Sequence, residues 1–171
     1  AGQVVYVAPD ATIDLSGQAN VRVPEGVTVA GNRGENGSPG PLISVSKFGD
    51  SKAPDNFDAV FHARGNVRIT GLRIRGPGGG AQSVMPEEAD SKTTGGVFSA
   101  DKGEVDNCEI SHFTYCGVHV DHGEAHVHHN FIHDIGAYPI GLAHQAKPGT
   151  LLEANIIHWV HHTISATGDP E

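Results

Sequence analysis

Cysteine, methionine and aromatic side chains are all scarce in this chain of 171 residues, which has two Cys, one Met, one Trp, three Tyr and six Phe. Two cysteines, Cys108 and Cys116, are too few for a disulfide scaffold, and they read as one local bridge or as two thiols. No apolar run approaches the roughly 20 residues of a membrane span, so no spanning segment is expected. No charged, then apolar, then small-residue segment opens the chain, and any export signal is expected to have been removed. Positive charge is short as well. Lys and Arg total 11 against 20 Asp and Glu, a formal charge of −9 at pH 7, which is a poor match for a phosphate backbone. Nucleic acid is therefore not an expected partner. Sustained helical periodicity is missing from every window.

What the chain does have is 23 Gly, 10 Pro and 12 His. The first two argue for a turn-rich β protein, and the length suits one domain over 1–171. The histidines make surface charge acid-sensitive: protonating all 12 below about pH 5.5 would carry −9 to about +3. Seven of them fall between Gly117 and His144, in GVHVDHGEAHVHHNFIHDIGAYPIGLAH.

A repeating unit emerges when the chain is anchored on a Gly or Asn able to take a left-handed conformation, followed by apolar, polar, apolar. It recurs as Gly26-Val27-Thr28-Val29, Gly71-Leu72-Arg73-Ile74, Asn107-Cys108-Glu109-Ile110, Asn130-Phe131-Ile132-His133 and Asn155-Ile156-Ile157-His158. The last three anchors are 23 and 25 residues apart. An apolar residue precedes each anchor (Val23, Ile69, Val105, Val127, Leu152), and a further short strand follows the next bend: Phe61-His62-Ala63, Val97-Phe98-Ser99, Val118-His119-Val120, Ile140-Gly141-Leu142 and Ile164-Ser165-Ala166. Three short strands per repeat of this length, with Asn or Gly at a bend, predict an all-β solenoid, a single-stranded right-handed parallel β-helix. Its glycine-rich interruptions, about 31–41 and 76–96, read as loops leaving the coil, the second able to roof a site. The chain stops inside a coil without a polar cap, which predicts a truncated C-terminus or an end-to-end or homo-oligomeric assembly.

On these repeats the chain resembles the right-handed parallel β-helix superfamily of pectate lyases and related polysaccharide lyases, hydrolases and alginate epimerases. The resemblance covers nearly the whole length and implies a secreted, extracellular or cell-surface protein with a polysaccharide partner.

Period-2 alternation turns Val118 and Val120 inward and His119 and Asp121 outward. With coils about 4.8 Å apart, the outward columns read His62, Phe98, His119, Gly141, Ser165, then Arg64, Ala100, Asp121, Ala143, Thr167, then Gly65, Asp101, His122, His144, Gly168. His119, Asp121, His122, His144 and Asp101 are thereby expected on one outer patch. An imidazole beside a carboxylate is an acid/base device, so His119 reads as a base and Asp121 as its orienter. A solvated polar ladder is the bland alternative. Nitrogen and carboxylate ligands also allow a divalent metal, calcium or zinc, at His119, His122, His144 and Asp101. His126 and His128 are expected outward around Val127 on a hydrated surface. His133 and His158, in the column of Val29, Ile74 and Ile110, are expected inside as hydrogen-bonded core histidines.

In the resembling enzymes the sugar chain lies across the outer strand where His119 and Asp121 project. Alginate epimerases and some lyases pair a Tyr with a His near a Tyr-Gly-X-Asp-Pro-His run. The counterpart here is Tyr115-Cys116-Gly117-Val118-His119-Val120-Asp121-His122, which has no proline and a longer spacing. The resemblance thus implies Tyr115 or Tyr138 as the acid. Pectate lyases also use calcium carboxylates and a basic residue; Arg64 and Lys102 are the bases near this column, and His144 lies beside them for substrate binding. Two functions stay open: a lyase or epimerase removing a proton from an acidic polysaccharide, or a non-catalytic structural, filament or adhesion module with a histidine-rich, metal- or pH-responsive surface.

Overall fold

A computed structural model describes residues 2–18, 20–49, 57–78, 93–143 and 147–166 of the chain. The described strands run from two to eight residues, too short to stand without neighbours for their backbone groups. The chain supplies those neighbours by coiling. One turn contains β1 (Val4–Tyr6), β2 (Thr12–Asp14) and β3 (Val21–Val23); the next β4 (Thr28–Ala30), β5 (Leu42–Ser44) and β6 (Phe57–Arg64). The third holds β7 (Arg68–Thr70), β8 (Arg73–Arg75) and β9 (Thr93–Ala100); the fourth β10 (Gly103–Asp106), β11 (Glu109–Ser111) and β12 (Cys116–Val120). β13 (Ala125–His128), β14 (Phe131–Ile135) and β15 (Tyr138–Leu142) form the fifth, and β16 (Leu151–Glu153), β17 (Ile156–Val160) and β18 (Ser165–Ala166) the sixth.

Corresponding strands stack in parallel into three six-stranded sheets: β1-β4-β7-β10-β13-β16 (sheet A), β2-β5-β8-β11-β14-β17 (sheet B) and β3-β6-β9-β12-β15-β18 (sheet C). The protein is a parallel β-helix with three strands per coil, as its repeats predict. Among the described residues no helix is long and apolar enough to cross a membrane.

Each sheet sends an apolar column inward, and sheet C adds Ala63 and Val120 in a second. Sheet A contributes Val29, Ile69, Val105, Val127 and Leu152. Sheet B contributes Ile13, Ile43, Ile74, Ile110, Ile132 and Ile157. Phe61, Val97, Val118 and Ile140 come from sheet C. In the middle coils these side chains are fully buried, each contributing about 1.5–3 kcal/mol by leaving water.

Single left-handed residues turn sheet A into sheet B: Gly71 (φ 66°), Asn107 (53°), His129 (55°) and Ala154 (51°). The bend from C back to A uses pairs, Gly65-Asn66, Asp101-Lys102 and His122-Gly123. A β-carbon makes this conformation cost about 1–2 kcal/mol per residue. Backbone bonds to the next coil offset it, as when Asn107 N–H donates to His128 O and His129 N–H to Glu153 O.

These bends correct the expected anchors. His129 and Ala154, not Asn130 and Asn155, follow Asn107 in the left-handed column. The frame shifts by one residue, Ile132 rather than His133 pairs with Ile110, and His133 faces outward toward Glu109 and Asp134. Val29 likewise belongs to sheet A beside Ile69, not to the Ile74 column. Asn130 instead points into the core. It accepts from Cys108 N–H (3.0 Å) and donates through Nδ2 to Val105 O (2.9 Å) and Asn155 Oδ1 (3.0 Å). Asn155 repeats the pattern one coil on, donating to Val127 O (2.8 Å). Asn155, Asn130 and Cys108 thus make a ladder of inward rungs on successive coils.

The loop over 31–41 leaves the coil between β4 and β5 and contains a short 3-10 turn, Glu35–Gly37. The loop expected over 76–96 ends sooner, since Thr93 to Gly96 already run in β9; residues 79–92 lie outside those described.

Sheet C departs from strict alternation. Its pairing skips Val60, Gly96, Gly117 and Pro139, so the residue before each skip faces out although simple alternation would turn it in. A β-carbon on Gly117 would sit 2.6 Å from Pro139 O and 2.7 Å from Ile132 Cγ2. Gly96 meets Ile110 Cγ2 at 2.7 Å in the same way. At these two rungs the backbone approaches the core too closely for a β-carbon, whereas Val60 and Pro139 keep side chains at theirs. Cys116 therefore lies on the outer side with Ala59 and Phe98, whereas Cys108 sits in the main core. Both thiols are free.

Candidate functional site

The skip on sheet C gathers a continuous outer patch. Along the stacked strands, His62 lies on Phe98 with ring centroids 5.0 Å apart, and Phe98 meets His119 at 5.6 Å. The Arg64 guanidinium carbon stands 5.0 Å from the Phe98 centroid, a cation–π placement. The next rung after His119 is Gly141, whose missing side chain leaves its outward direction flanked by Cys116 Sγ and His119 Nδ1. Tyr115 and Tyr138 pack against the Ala59, Phe98 and Cys116 cluster and meet edge to face at 5.6 Å. Tyr138 in turn stacks on His162 at 5.0 Å.

Burial, reinforced by Cys116 and Tyr138, pushes the Tyr115 phenol above its ordinary pKa. It stays a proton donor at neutral pH. Complete burial pushes the Cys116 thiol up as well, and the Cys108 thiol up to about 12. Neither is a thiolate nucleophile.

The sequence candidates divide among three places. His119, Tyr115, Tyr138 and Arg64 share the outer face of sheet C. Asp121, His122 and Asp101 sit at the bend from C to A. There Asp121 Oδ1 accepts the His122 N–H (2.9 Å), and its other oxygen lies 3.4 Å from His122 Nε2, so this carboxylate is engaged with His122. Asp101 N–H donates to His122 O (2.8 Å). Lys102 lies further round, in a groove of about 250 Å³ with Glu104, Glu124 and His126. His144 lies outside the described residues. Calcium takes six to eight oxygen ligands, and the partly exposed His62, His119, Tyr115 and Tyr138 and the exposed Arg64 of the described outer face of sheet C offer imidazole, phenol and guanidinium groups instead. No step through calcium follows from that donor set.

A second polar face lies on sheet A, where the sequence supplied outward His126 and His128 but no partners. Register puts Glu104 opposite His126, and Asp106 opposite both Thr70 and His128. Arg68 Nε and Nη2 each donate to Asp106 at 2.8 Å, and Thr70 adds a third bond at 2.9 Å. Burial pushes this carboxyl up, but those bonds and the neighbouring Arg68 and His128 charges hold it below the usual range. His128 Nε2 lies 3.1 Å from Glu104 Oε1, and His126 Nε2 lies 3.0 Å from Glu153 Oε1. Glu104, His126 and His128 are, among the described residues, the group able to bring three ligand atoms within 4.8 Å of one another. The signal for it was the pairing of coil four with coil five in sheet A. Glu104 is 22 positions from His126, one coil length, and an exact register was needed to see them meet.

A third concavity, of about 290 Å³, opens beside sheet B between Asp14, Ser44, Ser46, Arg75 and His112. Burial first, and then the Arg75 charge, holds the His112 imidazole below its ordinary pKa.

Fold and faces together define a parallel β-helix carrying an aromatic-imidazole patch on one sheet and a carboxylate-imidazole ladder on another. Compared with known proteins, the chain is matched by no family model, no curated protein and no solved structure.

Proposed function

We propose that this protein is a carbohydrate-active member of the pectate lyase-like β-helices, outside the cell, whose sheet C face takes an acidic polysaccharide. The observation that carries the reading is the gathering of His119, Arg64 and the Tyr115–Tyr138 pair on one outer face, around the buried ring of Phe98. Sugar rings stack on phenol and imidazole planes such as the partly exposed Tyr115, Tyr138 and His119 offer, and a guanidinium pairs with a uronate carboxylate. The proton α to that carboxylate is the acidic one. In this reading His119 removes it, with Arg64 offsetting the charge that develops on the carboxylate. Tyr115, kept protonated by its surroundings, supplies a proton either to the leaving glycosidic oxygen, giving elimination, or to the opposite ring face, giving epimerisation. Asp121 is engaged with His122, so the orienting role assigned to it from sequence is not part of this scheme.

The test is a panel of polyuronides followed by absorbance of the unsaturated uronate and by proton NMR of the recovered polymer. The expected outcome is product from at least one polymer, lost in His119→Ala and reduced in Tyr115→Phe. Folded protein that neither binds nor transforms any of the panel refutes the reading and leaves a non-catalytic scaffold.

A further inference from the structure

The strongest unassigned chemistry lies on sheet A, away from the face proposed for polysaccharide. Outward residues there form two rows across the coils. One reads Arg68, Glu104, His126, Leu151, and the other Thr70, Asp106, His128, Glu153. Arg68 is committed to Asp106 through two hydrogen bonds, which offset its charge, while its Nε stands 3.4 Å from Glu104 Oε1. What remains is two imidazoles and two carboxylates meeting across three coils. Glu104 Oε1 reaches His128 at 3.1 Å, and Glu153 Oε1 reaches His126 at 3.0 Å. The two imidazole rings lie with centroids only 3.9 Å apart, and a nitrogen of each lies within 4.8 Å of the other and of a Glu104 oxygen.

We propose that Glu104, His126 and His128 bind a divalent transition metal of the zinc type on the outer face of sheet A, with Glu153 as the fourth donor.

Two nitrogens with carboxylate oxygens suit zinc, cobalt or nickel and not calcium or magnesium, which take oxygen shells. A tetrahedral zinc with bonds near 2.0–2.1 Å needs its ligand atoms about 3.3 Å apart. The Glu104 to His128 and Glu153 to His126 separations are already of that size, and the three-residue group is within 4.8 Å throughout. Closing it takes side-chain rotation on strands whose backbones the β-helix already fixes, so little ordering is left to oppose binding. Two Glu charges balance a divalent ion. His129 Nδ1 lies 2.8 Å from His128 Nδ1 and fixes that ring from behind, the outer contact that holds a ligating imidazole in one tautomer. Because the ligands come from three successive coils, a bound ion would clamp β10, β13 and β16 together. This site shares no residue with the sheet C patch, so the two readings stand or fall separately.

The experiment is a cobalt(II) titration of the full chain, stripped with chelator and dialysed, read by d–d absorption and by calorimetry, with zinc(II) as competitor. One ion per chain is expected, displaced by zinc and untouched by a hundredfold excess of calcium. His126→Gln and His128→Gln should each weaken it at least tenfold, Glu104→Gln should weaken it too, and His119→Gln should leave it unchanged. A zinc-dependent rise in melting temperature, absent in His128→Gln, gives a readout independent of the cobalt spectrum. Far-UV circular dichroism of each variant shows whether its coils are intact. The proposal is overturned if folded wild type takes up no cobalt at micromolar concentration. It is equally overturned if uptake survives in a folded His126→Gln, His128→Gln double variant or is lost in His119→Gln instead.

Discussion

Replacing Asn130 with Ala should be among the costliest polar substitutions in the described structure. Its side chain makes three bonds inside the coil, to Cys108 N–H, Val105 O and Asn155 Oδ1, and the residue is 1% exposed. At about 1 kcal/mol net for each bond these sum to about 3 kcal/mol. The Cys108 N–H, in a fully buried residue, would be left without its acceptor, adding about 1–2 kcal/mol. The expected loss is about 4–5 kcal/mol, which for a chain of this length lowers the melting temperature by roughly 8–20 °C. Urea unfolding, monitored by circular dichroism, should show a lower midpoint at unchanged slope. The partner measurement is Asn107→Gly. Asn107 is exposed, holds φ 53° and, among the described residues, its side-chain amide donates to its neighbour Asp106, so glycine there should stay within about 1 kcal/mol of wild type. Asn130→Ala costing under about 1 kcal/mol, or Asn107→Gly costing more than Asn130→Ala, would refute the register described here.

Gly117→Ala should destabilise by about 1–3 kcal/mol or prevent folding, because the added carbon meets Pro139 O and Ile132 Cγ2 at 2.6 and 2.7 Å; Gly141→Ala, whose nearest contacts are Cys116 Sγ at 3.1 Å and His119 Nδ1 at 3.5 Å, should melt closer to wild type, and the reverse order would contradict the skip in sheet C. His112 is held below its ordinary pKa in the fold, so the folded state resists its protonation. Its contribution is whole above about pH 6.5 and declines as pH falls through the unfolded-state value toward the folded one. The stability of wild type relative to His112→Asn, asparagine being tolerant of the φ of 63° at this position, should therefore drop between about pH 7.5 and 5. A difference that is flat or rises on acidification would rule this out.

Alternation and spacing carried most of the fold in the sequence. Short strands with one apolar face cannot be stable alone, so a recurring triplet of them is nearly a statement of a stacked solenoid. The outward column of His62, Phe98, His119 and Gly141 was legible because it needs only the count between repeats, and the register reproduces it rung for rung. Chemistry within a coil was less legible. An asparagine is read as a bend residue because it tolerates left-handed backbone. Yet the chain bends at His129 and Ala154 and sends Asn130 and Asn155 inside. A one-residue shift exchanges the faces of a whole strand, which is how His133 moved from the core to the surface.

Tertiary structure alone decided the rest. The skip at Gly117 turns Cys116 outward beside Phe98 and brings Tyr115 and Tyr138 to the same patch. A closely approaching core, not any local pattern, creates that skip. The union of Glu104 with His126 and His128 likewise depends on how one coil settles on the next. Composition supplied the histidines, and periodicity turned His119, His126 and His128 outward but misplaced His133. Cross-coil register, set by backbone hydrogen bonds and by side-chain volume at the bends, determined which carboxylates they meet.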